Sequence, residues 1–188
     1  MKWEKYYSRP ASESYIKDTE NHKPFLLRII REESKSLLEV GTGTANLSIF
    51  LSFRCNEVTS IDNNRKVLWN AALNNRSLNG KVKFEIADAI SLPFEDDSFD
   101  SCFSQGFFEH FDDKSIQGLL KEQLRVAPMV FFSVPTAWYP VKEFGDERLM
   151  EREDWLHILS GFKVEKFEYY RFMNSKPLEI YFKLSKEV

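Results

Sequence analysis

Three short apolar runs in the first half of the chain each end on or beside a carboxylate: "SLLEV" with Glu39, "EVTSID" with Asp62 and "VKFEIAD" with Asp88. Runs of this length, rich in Val, Ile, Leu and Phe, have the composition of buried strands. The segments around them have a different spacing. Phe25, Leu26, Ile29 and Ile30 precede the first run, Leu47, Phe50 and Leu51 follow it, and Val67, Leu68, Ala71 and Ala72 follow the second. Apolar residues three and four apart predict helices, with Pro24 tolerated in a first turn and Gly80 placed just past a C-terminus. A chain that alternates strand and helix in this way folds as a parallel sheet covered on both faces.

The alternation continues through "FDSCFSQG" as strand, "DKSIQGLLKEQLRV" as helix, "MVFFSVP" as strand and "MEREDWLHILSGF" as amphipathic helix. Two β-rich runs close the chain, "KVEKFEYYRF" and "LEIYFKLS", joined only by "MNSKP". That link is too short for a parallel crossover, so the two pair as an antiparallel hairpin. The expected fold class is α/β: an open, doubly wound, mostly parallel seven-stranded sheet with helices on both faces and an antiparallel C-terminal hairpin. A chain of 188 residues fits one domain, residues 1–188, with an N-terminal arm over 1–21 and a core over 22–188.

Composition narrows the partners. Twenty-six basic against 29 acidic residues leave a net charge of −3, which disfavours a polyanion such as nucleic acid. No apolar run approaches the roughly 18 residues of a membrane span, and "MKWEKYYSRPASESY" lacks the apolar stretch of a signal peptide, so a cytoplasmic location is expected. Cys55 and Cys102 read as reduced, buried thiols, with a disulfide as the alternative, and two Cys with three scattered His are not expected to form a metal site.

In such sheets a ligand lies beyond the carboxyl ends of the strands, near the switch in strand order. Glu39, Asp62 and Asp88 converge there, beside the glycine-rich "GTGTAN" and, after the fourth strand, Ser104, Gln105, Gly106, Glu109 and His110. Three acids repel a phosphate but suit a ligand carrying an ammonium group, ribose hydroxyls and an exocyclic amine.

"LLEVGTGTANLSIFL", "VTSIDNN", "FEIADAISLPFEDDSFDSCFSQGFFEHF" and "RVAPMVFFSVPT", in this order and spacing, resemble the successive motifs of class I S-adenosylmethionine-dependent methyltransferases, of the small-molecule, type 11-like kind. The resemblance covers residues 22–186 and implies S-adenosylmethionine as cofactor and S-adenosylhomocysteine as product. It implies that Glu39 holds the methionine ammonium and that Gly41, Thr42 and Gly43 bring backbone close to the methionine and ribose. Asp62 would accept from both ribose hydroxyls, with Asn63 beside it. Asp88 would take the adenine amino group and the Ala89 N–H a ring nitrogen, while Ser104 and Gln105 would flank the methionine end. Ala45 replaces a frequent third glycine, and Asn63 stands where an apolar adenine neighbour is common.

Other readings stay open. Asp62 also reads as a helix cap, His110 with Glu109 as either a proton acceptor or a packing pair, and His22 and His157 as surface or boundary residues. A dehydrogenase wants a third glycine where Asn46 stands, and a P-loop enzyme wants the absent "GK[ST]". The methyl acceptor, bound through an O, N or C nucleophile, is expected to be a small molecule, since neither "[DN]PP[YF]" nor a Pro-Cys pair is present. Its walls are sought in Trp3, Tyr6, Tyr7 and Tyr15 of the arm and in Trp138, Tyr139, Lys142, Phe144 and Arg148 of the connection after the fifth strand. A protein that binds the nucleoside without transferring a methyl, as a sensor or partner subunit, would carry the same cofactor motifs.

Overall fold

A computed structural model describes residues 11–141 and 145–186. Trp3, Tyr6, Tyr7, Lys142 and Phe144 therefore lie outside the described residues. The strands are β1 (Ser36–Val40), β2 (Glu57–Asp62), β3 (Val82–Ile86), β4 (Ser101–Gln105), β5 (Met129–Pro135), β6 (Lys163–Met173) and β7 (Lys176–Ser185). They form one sheet in the order β3-β2-β1-β4-β5-β7-β6. β1 pairs in parallel with β2 on one side and β4 on the other, so the order of strands reverses at β1, the place where such a sheet opens a crevice. β7 lies antiparallel between β5 and β6, as the short link required.

Helices cover both faces: α1 (Ala11–Asn21), α2 (Lys23–Ile30), α3 (Asn46–Leu51), α4 (Arg65–Ser77), α5 (Asp113–Val126) and α6 (Arg152–Ile158). Successive strand residues point to opposite faces, which divides the core in two. Leu37, Phe103 and Phe131 pack with Phe25 and Ile29 of α2 and Ile49 of α3. Their neighbours Leu38, Cys102 and Phe132 pack with Ile116 and Leu120 of α5 and Trp155 of α6. Cys102 is buried, Cys55 is half-buried, and neither is in a disulfide.

Trp155 is the largest anchor of the second half. Its ring meets Phe132 at 5.5 Å and Phe182 at 6.2 Å between centroids, and those two rings stack at 4.9 Å. Truncating such a residue removes its transfer energy and leaves a cavity, at a cost of about 3–5 kcal/mol. Trp155→Ala is expected to lower the thermal midpoint by roughly 6–20 °C for a chain of this size. A fall of only a degree or two in calorimetry would show that α6 is not docked through this ring.

Candidate functional site

The turn from β1 to α3 bends sharply because Gly41 has φ +83°, Gly43 +51° and Ala45 +59°. At Gly41 the close approach is to a ring: a Cβ there would lie 2.7 Å from Phe107. The turn separates two cavities at the carboxyl ends of the strands. The smaller, about 290 Å³, is bounded by Asp62, Asn63, Asp88, Ala89, Ile90 and Phe107. The larger, about 440 Å³, runs from Glu39, Thr42 and Asn46 past Gln105 and Glu109 to Tyr139 and Glu179. Gly41, Gly43, Gly106 and His110 border both, so the two meet across the glycine turn.

In the smaller cavity Asp62 accepts from the Asn64 N–H at 2.9 Å. Burial raises its pKa, and the N–H groups of Asn64, Gly43 and Asn63 pull it back. The helix cap is Asn64 rather than Asp62: its side chain accepts from Lys66 and Val67, because it stands directly before the first helical residue. Asp88 accepts from the Ile90 N–H at 3.1 Å. Ile90, Phe107, Phe111 and Leu119 supply the apolar surface that Asn63 does not.

In the larger cavity Glu39 is buried, and one of its oxygens accepts from Ser48 at 2.7 Å and from Ser60. Ser60 is bonded in turn to Thr42. Burial above all pushes the Glu39 carboxyl up to about 7; the serine hydroxyls lower it and the charge of Asp62 raises it. A folded-state value above the ordinary one contributes stability at low pH that is lost as pH rises through about 7. The thermal midpoint of the ligand-free protein should therefore fall between pH 5 and pH 8. Glu39→Gln, which still accepts from both serines, should flatten that slope; an unaltered profile would refute the assignment.

Sequence reasoning missed several neighbours. Asn46, fully buried, donates to Asp18 at 2.8 Å and to Ser14 at 3.3 Å, tying α1 to the start of α3, while its Oδ1 is buried without a partner. His22 is a correction: it is buried, borders the cavity and is bonded to the Tyr170 hydroxyl at 2.8 Å. Burial first, then the Arg171 charge, lowers its pKa to about 3, which keeps it neutral. His157 is exposed, as expected.

Other expected residues lie elsewhere. Gln105 borders the larger cavity, but Ser104 points to the opposite face of β4, buried with an unpartnered hydroxyl. Tyr15 packs on the core beside α2 and α3. Trp138 lies under the Lys176 ammonium at 3.8 Å, and Arg148 is taken up by Asp113 at 2.6 Å and the Phe111 carbonyl at 2.7 Å. Tyr139 does border the cavity, with Val141 and Leu149. His110 holds Asp146 through Nδ1 at 2.9 Å and has Nε2 3.9 Å from Glu109.

The acids, the positive-φ turn and the partnerless Asn46 Oδ1 fit an amino-acid-bearing nucleoside. Residues 37–128 match the family described as "Methyltransferase domain". Over those residues the chain carries a class I S-adenosylmethionine-dependent methyltransferase domain. Among relatives, norajmaline N-methyltransferase of Rauvolfia serpentina is 27% identical over 110 residues, 54% of this chain and 37% of that enzyme. Chloroplastic tocopherol O-methyltransferase of Arabidopsis thaliana is 30% identical over 136 residues, 63% of this chain and 38% of that enzyme. The chain thus spans well under half the length of these relatives. The methyltransferase domain also shares its fold with the PH0226 protein of Pyrococcus horikoshii OT3, at a TM-score of 0.78 and 18% identity over 96% of this chain and 95% of that one. Among the described residues no helix is long and apolar enough to cross a membrane.

Proposed function

We propose that the domain transfers a methyl group from S-adenosylmethionine to a nucleophilic O, N or C atom of a small molecule. The observation that carries this reading is the larger cavity. It continues beyond the glycine turn to Gln105, Tyr139, Leu149 and Glu179, giving an acceptor room next to the cofactor motifs. A nucleoside sensor has no use for that space. The N- and O-methyltransferase activities of the two named relatives agree with a small acceptor.

On this reading Asp62 accepts from the ribose hydroxyls, Asp88 and the Ala89 N–H address the adenine, and Ile90 and Phe107 pack on it. Glu39 and Asn46 hold the methionine ammonium, and α1 closes over that end through Asp18 and Ser14. Bound S-adenosylmethionine supplies a methyl group already activated by its sulfonium. The protein's task is then to orient the acceptor, exclude water and receive a proton. His110 borders both cavities, and the tautomer that donates from Nδ1 to Asp146 leaves Nε2 as the acceptor.

The reading is tested by thermal midpoints with S-adenosylmethionine, S-adenosylhomocysteine and NAD. A ligand at 100 times its dissociation constant adds about 2.7 kcal/mol, which raises the midpoint by roughly 5–11 °C in a domain of this size. The shift is expected with the two adenosyl ligands and not with NAD. A shift with NAD alone would turn the reading toward an oxidoreductase.

A further inference from the structure

The far end of the larger cavity is lined by three buried carboxylates drawn from distant parts of the chain: Glu109 after β4, Glu147 before α6 and Glu179 on β7. Glu109 and Glu179 are 4% and 2% exposed, and Oε2 of each is buried without a hydrogen-bond partner. Arg171 of β6 reaches the other oxygen of Glu179, at 3.4 Å, and the Tyr139 hydroxyl, at 3.5 Å, and the Ser133 side chain is the other group that favours the charged form of Glu179. Carboxylates are buried at high cost unless a positive charge or a donor joins them.

That joining group is not the methionine ammonium. Glu39 on β1 and Glu179 on β7 are three strands apart in the sheet, a separation of about 14 Å at the usual strand spacing. Nor do the described residues place three His, Cys, Asp or Glu to hold a metal ion. Burial first, and then the charges of Glu179, Glu147 and Asp146, hold the Glu109 carboxyl well above its usual range, and burial pushes Glu179 up to about 8 against the opposing pull of Arg171 and Ser133. A further cation arriving between them would favour the ionised form of both.

Building on the methyl-transfer reading, we propose that the acceptor is a small amine. It enters as its ammonium ion, held between Glu109 and Glu179 with its carbon skeleton against Tyr139, Val141 and Leu149. An ammonium nitrogen has no lone pair, so one N–H proton passes to Nε2 of His110, 3.9 Å from Glu109. The freed pair forms the N–C bond to the methyl, the S–C pair returns to sulfur, and the positive charge moves from sulfur to the methylated nitrogen.

The test uses wild-type protein saturated with S-adenosylhomocysteine at pH 8, titrated calorimetrically with 2-phenylethylamine, 2-phenylethanol and phenylacetate. The amine is expected to bind at least about tenfold more tightly than either counterpart, the scale of one charge-assisted hydrogen bond. Glu109→Gln and Glu179→Gln should each abolish most of that preference while changing S-adenosylhomocysteine affinity less than about twofold. No preference for the amine in wild type, including no binding by any probe, overturns the proposal, as does a preference that survives both substitutions. Parallel loss of S-adenosylhomocysteine affinity in the variants would assign the carboxylates to the nucleoside site and overturn it too. Failure of wild type to bind S-adenosylhomocysteine at all would instead remove the methyl-transfer reading, and this proposal with it.

Discussion

Asp62→Ala is expected to weaken S-adenosylhomocysteine binding by a factor of roughly 10²–10⁴. Two hydrogen bonds from ribose hydroxyls to an ionised carboxylate are worth about 1.5–3 kcal/mol each, and each 1.4 kcal/mol is tenfold in affinity. The carboxylate is already oriented by the Asn64 N–H, so little of that energy is spent in positioning it. Asp62→Asn, which keeps one acceptor oxygen, should fall between the two. Isothermal titration that returned a wild-type dissociation constant for the alanine variant would remove Asp62 from the nucleoside site.

His110→Ala should lower kcat by roughly 10²-fold, the usual contribution of a placed proton acceptor, while S-adenosylhomocysteine affinity changes little. The split follows from position: the ring lies where the two cavities meet, against Asp146 and Glu109 rather than beside Asp62. Pre-steady-state methyl transfer is the measurement, because slow product release would hide a chemical step in steady-state rates. An unchanged single-turnover rate would make His110 a packing residue.

The strands were legible because each is a compact apolar run closed by a turn or an acid, and β1, β2, β5 and α5 have the limits their patterns predict. The glycine turn and its three acids were legible for a related reason: a parallel sheet brings the residues after each strand to one rim. Helix α1 was not, since "ASESYIKDTEN" carries no apolar stripe. Its docking depends on Asp18 and Ser14 meeting Asn46, a contact between distant parts of the chain. Two of the three carboxylates at the far end of the larger cavity were equally hidden, Glu109 alone being singled out by its place after the fourth strand. Glu147 lies in an irregular connection, and Glu179 was read only as part of a β-rich run. One signal was available: a lone acid inside "LEIYFKLS", a strand buried along most of its length, has to face something polar. Ser104 failed for the opposite reason, because adjacency to Gln105 in sequence is opposition across a strand.

Among the described residues strand β6 lies at the border of the sheet, so one side of its eleven-residue ladder is unpaired. A border of that length is a template on which another chain's strand can add, the first step of aggregation. This one is guarded. Lys163 with Glu165 and Lys166 with Glu168 place alternating charges along it, and the register shifts between Val164 and Lys166. A foreign strand would have to strip those ion pairs and follow an irregular edge. The resistance of this edge to a foreign strand thus depends on residues that take no part in holding a ligand, and exchanging these lysines and glutamates for Val or Thr would invite self-association without touching the chemistry.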